Sequence, residues 1–429
     1  MHVIVIGAGL LGTTTAYFLA EAGHQVTVLD RAEAVASETS FANGGILHAS
    51  YAAPWNGPGL PGQVLRWLGR PDAPLVLHPT ALPGAARWAW GFFRHSRAEF
   101  FEASLRANAR LAIYSLRQLR DLRARLDLHY DEAARGALMV FRDAQGLEDA
   151  RRQAALLESA GVRAQALDPG ELRRRVPSLA SDGVSLAGGI YYPDDECGDA
   201  RLFAHRLAER ARGLGADFRL GTAVRRVLRE GGSVRGVDTD HGALRGDAVV
   251  LAAGSCSAAL VRPLGLALPI CPVKGYSATL TLSDPARAPA LPILDTGRRL
   301  VFAPLGDRLR IAGFAELAGF DTRAHPRRIR ALLRGAAELF PELARGADPA
   351  RVEPWAGLRP MTHDGRPLLG ESPVPGLYLA TGTGHLGWTF SAGAGRVVAD
   401  VISGNSPGIE IGDFGYQRAG VGRGASVKR

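Results

Sequence analysis

Lysine is nearly absent from this chain of 429 residues: of its 51 basic residues only Lys274 and Lys428 are lysine, and the rest are arginine. Such a skew reflects genome composition more than a partner, and it makes the interior Lys274 conspicuous. The net charge of +9 is spread along the chain without a basic block or recognised binding module, so nucleic acid is not an expected partner. Cysteine is scarce as well. Cys197, Cys256 and Cys271 are odd in number, widely spaced and without metal-ligand spacing, which argues against a disulfide framework and fits a reducing, cytoplasmic compartment. No run reaches the ~18 to 20 apolar residues needed to cross a bilayer. A cleaved leader is not expected, because the first residues already read as a core strand. A Ser-His-Asp order, a paired-carboxylate pattern and internal repeats are also missing, which leaves hydrolysis unsupported.

What is present begins at the second residue. His2-Val3-Ile4-Val5-Ile6 reads as a buried strand, and Gly7-Ala8-Gly9-Leu10-Leu11-Gly12 turns it into an apolar helix running to about Ala22. A second strand follows, Val26-Thr27-Val28-Leu29, ending on Asp30. Each glycine has a task in a dinucleotide fold: Gly7 permits the turn, Gly9 lets backbone N–H groups approach a pyrophosphate, and Gly12 lets helix pack on strand. The positive end of the helix faces the phosphates, and Asp30, 18 residues after Gly12, is placed to hold ribose hydroxyls.

The same grammar returns twice. Ala248 to Ser255 is a buried strand ending in small residues before a helix, and Leu377 to Gly384 is another, followed by a helix from Thr389 to Ile402. Ligands of doubly wound sheets bind beyond the carboxyl ends of the strands, so three such ends suit a long cofactor. A length of 429 residues fits two or three domains. The intervening sequence contains a Gly/Pro/Asn/Ser-rich loop (38–62), a helical region with short breaks (82–126), and strands with one basic helix between Pro263 and Pro349. The expected fold class is α/β: a Rossmann-like cofactor-binding domain (1–50, 194–262 and 350–405) with a discontinuous substrate domain on a mixed sheet (51–193 and 263–349). A tail (406–429) follows, and its Gly- and Arg-rich part from Gly412 to Arg429 is expected to fray.

A nicotinamide enzyme needs one glycine turn and a second domain, whereas FAD enzymes of this grammar use a non-contiguous set. The helix after Gly387-Trp388 would direct its positive end at flavin N1 and C2=O; the alternative is that Gly382, Gly384 and Gly387 only permit close packing. Lys274, in Pro272-Val273-Lys274-Gly275-Tyr276, marks a position where a compact ammonium is needed, or else an accidental survivor. Arg359, framed by Trp355-Ala356-Gly357-Leu358 and Pro360-Met361, suits a desolvated clamp for a carboxylate, with a structural salt bridge as the rival. His48, Tyr51, Tyr191, Tyr192 and His385 are candidates to line the pocket. Trp67, Trp88, Trp90, Phe92 and Phe93, flanked by Arg66, Arg70, Arg87 and Arg94, have the composition of an interfacial helix or of a packed helical face.

Several strings resemble bacterial D-amino acid dehydrogenase, a flavoprotein family of the D-amino acid oxidase and glycine oxidase-like superfamily. Glu38 to Gly44 is similar to its ETSFANAG, Tyr51 to Trp55 to its YASPW, and Asp194 to Asp199 to its NDETGD. Pro272 to Ser277, Gly357 to Gly365 and Leu386-Gly387-Trp388-Thr389 match nearly letter for letter, and the likeness covers about residues 1 to 404. The resemblance implies non-covalent FAD, oxidation of D-amino acids to imino acids that hydrolyse to 2-oxo acids and ammonia, and transfer of electrons to a quinone or other respiratory acceptor rather than to oxygen. It also implies a place on the cytoplasmic face of the inner membrane. Cofactor contacts are expected from Val3, Ile4, Val5, Ile6, Gly7, Ala8, Gly9, Leu10, Leu11, Gly12, Asp30, Arg31, Ser40, Asn43, Gly44, Val224, Ala253, Gly254, Gly384, Gly387, Trp388 and Thr389. Arg359, Lys274, Tyr276 and His385 are the expected catalytic set, with Arg359 orienting Cα–H toward flavin N5 while a neutral amine drives hydride transfer, so that no side-chain base is needed.

Three departures from the family strings fall near the expected flavin and substrate. Asn43 is followed by Gly44-Gly45-Ile46 instead of AGQ, the histidine of TGHGTLGWT stands two places later as His385, and Met361-Thr362-His363 replaces MTP. D-hydroxyproline, glycine, sarcosine or an opine therefore stay open as substrates, and a non-catalytic flavin-binding subunit is a further alternative.

Overall fold

The computed structural model describes residues 1–67, 73–179, 184–345 and 351–419. Arg70, Lys428, the end of the tail and the expected boundary at 349–350 lie outside the described residues.

Strand His2–Ile6 sits at the centre of a six-stranded sheet because it is apolar on both faces, with Val3, Ile4 and Val5 wholly buried. The order across the sheet is Leu368–Glu371, Leu377–Thr381, Ala248–Leu251, His2–Ile6, Gln25–Asp30 and Asp217–Leu220, all parallel except the first pair. Helices Leu10–Glu21 and Gly387–Ile402 cross on one face of it. They approach closely enough that a Cβ on Gly395 would stand 2.5 Å from Thr14 Oγ1, and that hydroxyl donates to Ser391 O at 2.8 Å. Helix Ala98–Leu126 packs on the second of them.

The second sheet is mixed and nine-stranded. Its path runs Val352–Thr362, Ile270–Thr281, Arg308–Leu317, Leu300–Leu305, Ile293–Asp295, Ala137–Phe141, Gly188–Tyr192 and Gln165–Leu167, with Leu75–Leu77 added beside Arg308–Leu317. Helix Pro326–Leu339, the basic helix anticipated from the sequence, packs on Ile270–Thr281 and Arg308–Leu317. The segments expected to form the cofactor-binding part supply all six strands of the first sheet, but strand Val352–Thr362, assigned there as well, pairs into the second. Asp199 joins the two sheets. It caps helix Ala200–Gly213 through the N–H groups of Arg201 and Leu202, and its other oxygen pairs with Arg308 and Arg310 of the second sheet.

The helical region 82–126, expected with short breaks, is two helices, Leu82–Arg94 and Ala98–Leu126. One expectation is corrected. The tail does not fray over Gly412–Ala419: Phe414 and Tyr416 are buried, and the buried guanidinium of Arg418 donates to Asp364 at 3.0 Å. Two aromatic anchors and one charge pair outweigh the glycine content that suggested mobility.

Candidate active site

The carboxyl ends of the central strands open into one cavity of about 1990 Å³ that reaches the second sheet. At its first-sheet end, Gly7 takes a φ of +109° and a Cβ there would stand 2.5 Å from Ala252 O, while a Cβ on Gly12 would overlap Gly7 O. The turn therefore folds only with glycine at both positions. Helix Leu10–Glu21 starts at Gly9, which has no side chain of its own to cap it, and carries no acidic residue in its first turn, which leaves its positive end without a countercharge toward the cavity. Asp30 stands at the end of the second strand and accepts from Ala8 N at 2.7 Å and Ala32 N at 2.9 Å. Ser40 caps Leu10 N at 3.2 Å, and Asn43 closes its own turn on Gly45 N.

Of the residues expected to contact the cofactor, Ile6, Gly7, Gly9, Leu10, Leu11, Asp30, Arg31, Ser40, Asn43, Gly44, Val224, Ala253, Gly254, Gly384, Gly387 and Trp388 line the cavity. Val3, Ile4, Val5, Ala8, Gly12 and Thr389 do not; they build the strand, the turn and the adjoining wall, Thr389 Oγ1 accepting from His48 N at 3.2 Å. The helix after the third strand end begins at Gly387, two residues earlier than the sequence suggested, and its first turn also lacks an acid. Two uncompensated helix starts and a glycine-lined floor fit a long anionic dinucleotide cofactor. Cys256 lines the cavity beside Arg31, whose positive charge partly offsets the upward push of burial on the thiol, while Cys197 and Cys271 lie off it.

At the other end Arg359 projects from strand Val352–Thr362. Two glycines opposite each other, Gly275 and Gly357, flatten the strand pair beneath it. A Cβ on Gly275 would overlap the Arg359 guanidinium, and one on Gly357 would overlap the Trp355 ring. Arg359 donates to Phe314 O at 3.1 Å and lies 5.2 Å from the Trp55 ring centroid. Among the described residues no carboxylate reaches it, and burial lowers its pKa to about 10. A buried unpaired guanidinium is costly, which favours an anionic ligand over the salt-bridge reading.

His385 stacks on the other face of this corner, 5.0 Å from Trp55 and 5.7 Å from Tyr51. Burial, with His48 and Arg359 nearby, lowers it to about 3, and burial lowers His48 to about 4. Both imidazoles are therefore uncharged walls at neutral pH. The Tyr51 hydroxyl makes no hydrogen bond within the protein among the described residues and lines the cavity between Arg359 and Arg299, both of which act electrostatically on it.

Lys274 is placed otherwise than the sequence reading held. Side chains alternate along a strand: Val273 and Gly275 face the cavity, so Lys274 and the Tyr276 hydroxyl face helix Pro326–Leu339. The Lys274 ammonium is buried, pairs with Asp321 at 3.2 Å and does not line the cavity. Tyr276 borders the cavity, but its hydroxyl donates outward to Glu316 at 2.8 Å, which also accepts from Arg328. Tyr191 and Tyr192 lie on strand Gly188–Tyr192, away from the pocket, the first donating to Arg135 O. Trp55 escaped the reading although it ends the Tyr51 to Trp55 string, because nothing local says which distant cation it covers.

The family of FAD dependent oxidoreductases matches residues 2–401. A D-amino acid dehydrogenase of Paramagnetospirillum magneticum is 45% identical, over 97% of this chain and 99% of its own, and one of Cereibacter sphaeroides is 43% identical over 97% and 95%. Glycine oxidase from Geobacillus kaustophilus superposes with a TM-score of 0.75 at 25% identity, covering 97% of this chain and 98% of that one. With the glycine-lined cavity and its unpaired arginine in place, these likenesses establish that the chain belongs to the D-amino acid dehydrogenase family of FAD-dependent oxidoreductases.

Proposed function

We propose that this enzyme oxidises D-amino acids to imino acids, which water converts to 2-oxo acids and ammonia, and that it passes the electrons to a quinone or another acceptor in preference to oxygen. The observation that carries the substrate reading is Arg359, a buried cation that opens on the cavity and has no acidic partner among the described residues. A substrate carboxylate pairs with its fork, and the Trp55 ring above it limits where the fork can go. The Tyr51 hydroxyl stands ready as a second donor to that carboxylate. Fixing the carboxylate fixes Cα, so the chain's own contribution is orientation and exclusion of water. No imidazole here acts as a base, because His48 and His385 hold a proton only in acid; the amine must arrive neutral, and its lone pair assists departure of the Cα hydrogen. Bound FAD supplies the hydride acceptor.

The cofactor would be held without a covalent bond: Gly7 and Gly9 with the first turn of helix Leu10–Glu21 would take the pyrophosphate, Asp30 the ribose, Val224 the adenine end, and Gly384, Gly387 and Trp388 the ring end. The acceptor reading finds support at the rim, where Leu82, Trp90 and Phe93 of helix Leu82–Arg94 are exposed, Trp90 by 75%. Leu82 and Phe93 also border the cavity. An aromatic rim with arginines alongside suits a membrane surface and an apolar acceptor. No helix among the described residues is long and apolar enough to cross a membrane.

Anaerobic mixing of the yellow holoenzyme with paired D- and L-amino acids tests the reading. Bleaching of the flavin band by the D-enantiomers, with turnover sustained by a quinone analogue and little peroxide in air, is expected. Faster bleaching by L-enantiomers, or peroxide equal to total turnover, overturns it. Acid precipitation should leave the flavin in the supernatant.

A further inference from the structure

Beside Arg359 part of the cavity is an apolar chamber. Met361 follows Arg359 on the same face of its strand, and Val273 is the cross-strand partner of Arg359, so all three side chains share one surface. Val273, Met361, Leu317 and Ala85 belong to one buried apolar cluster, closed by Trp55 and Trp88, and all six line the cavity. The roof is helix Leu82–Arg94, which is fastened to the floor. Trp88 Nε1 donates to Met361 O at 2.8 Å, and the His95 ring stacks on His363 at 4.8 Å. A Cβ on Gly91 would stand 2.8 Å from His363 Cδ2, so the helix lies directly on that imidazole. The departure Met361-Thr362-His363 thus shapes the space next to the carboxylate clamp.

Charge narrows the chamber's occupant. Among the described residues every acid that borders the cavity is already engaged: Asp30 by two backbone N–H groups, Glu38 by Arg31, Asp149 by Arg152 and Asp295 by Arg142. Arg31 and Arg152 are thereby neutralised. Among the described residues Arg299, by contrast, meets Gln63 at 2.9 Å and the Trp67 ring but no acid, and Arg359 meets no acid either. The cavity therefore offers a cationic side chain no counter-charge and presents it with two unpaired guanidinium groups.

Building on the D-amino acid reading above, we infer that the substrates are amino acids with bulky, uncharged apolar side chains, such as leucine, methionine and phenylalanine, which fill the chamber between Trp55, Trp88, Val273 and Met361. Lysine and arginine side chains are excluded by desolvation without a partner. Trp88 and Met361 set this preference without touching the reacting bond.

The test uses holoenzyme. Stopped-flow reduction is measured with D-leucine, D-methionine, D-phenylalanine, D-alanine, D-lysine, D-arginine and D-glutamate. The apolar, bulky substrates should exceed D-lysine and D-arginine by about a hundredfold and D-alanine by about tenfold in kcat/KM. Met361→Glu, with Met361→Gln as the neutral control, should raise D-lysine relative to D-leucine by about tenfold or more. In a separate arm that needs no turnover, phenylacetate should perturb the flavin spectrum at lower concentration than acetate or guanidinoacetate, and Trp88→Ala should erase that advantage. Comparable rates for D-lysine and D-leucine, a preference for D-glutamate, or equal binding of acetate and phenylacetate would overturn the inference. If phenylacetate binds selectively while no D-amino acid bleaches the flavin, the chamber stands and the D-amino acid reading fails instead.

Discussion

Gly275→Ala isolates the clamp from the fold. Gly275 does not have a positive φ, so alanine adopts its backbone without strain, and the sole intrusion is one methyl group. That methyl would overlap Nη1, Nη2 and Cζ of Arg359. The guanidinium can escape only by lifting off the strand pair, away from Phe314 O at 3.1 Å and toward the Trp55 ring, whose centroid is 5.2 Å from its Cζ. Losing the carbonyl contact costs about 1 kcal/mol. Displacing the carboxylate by about 1 Å from its reactive position costs on the order of a hundredfold in rate. Together kcat/KM should fall by about 100- to 500-fold, roughly 3 to 4 kcal/mol of transition-state stabilisation. The assay is anaerobic flavin reduction by D-leucine, read beside FAD content and Tm. Both of the latter should stay close to wild type, because the methyl meets a flexible side-chain end and lies away from the glycine turn at Gly7. Gly357→Ala serves as control: its methyl strikes the Trp355 ring and should leave the clamp less disturbed. A Gly275→Ala enzyme within twofold of wild type in kcat/KM would refute the account of why Arg359 sits where it does.

Further outcomes follow from the same geometry. Arg359→Ala should lose about 2 to 5 kcal/mol in kcat/KM and Arg359→Lys should restore part of it, since a fork becomes a point charge; an unchanged alanine variant would remove Arg359 from the site. Lys274→Met should retain FAD and reduce at the wild-type rate while losing about 1 kcal/mol of stability, the pair with a partly exposed Asp321 being worth little more; a tenfold slower reduction would return Lys274 to the active site. Burial raises the Asp195 carboxyl to about 7 from its usual 3.8, so the folded state keeps a proton that the unfolded chain releases, and stability drops as pH rises through that window. Asp195→Asn should therefore be about 1 to 3 kcal/mol more stable than wild type at pH 8 and indistinguishable below pH 4, by denaturant titration; equal stabilities at pH 8 would contradict the buried carboxyl.

The glycine turns were legible because their constraints are local: strand, turn and helix lie within thirty residues, and each glycine answers to a neighbour in sequence. Arg359 stood out as a candidate for a weaker reason, its apolar frame, and the residues that support it in the structure did not. Gly275 and Trp55 reach it across a strand pair and a loop, through contacts that no spacing encodes. Alternation along Tyr276-Ser277-Ala278-Thr279-Leu280 carried the phase that would have set Lys274 on the face opposite Gly275. Rarity in composition drew attention to the residue, but rarity carries no phase, and one position along a strand decides which face a side chain takes.

The two cations on neighbouring strands show what that single step does. Lys274 faces the helix layer, where the protein supplies Asp321 and the Tyr276 ring, so its charge is settled within the fold. Arg359 faces the cavity, where the same sheet supplies one carbonyl, a loop supplies the Trp55 ring, and no acid among the described residues reaches it. A structural arginine in that position would gain from an acidic neighbour, and the strand opposite offers Gly275 and Val273 instead. On the proposed reading, the cost of leaving the charge unmatched is recovered when an anion enters. The chain keeps a destabilised cation poised above two glycines, and a substrate carboxylate would relieve it at the point where orientation of Cα is required.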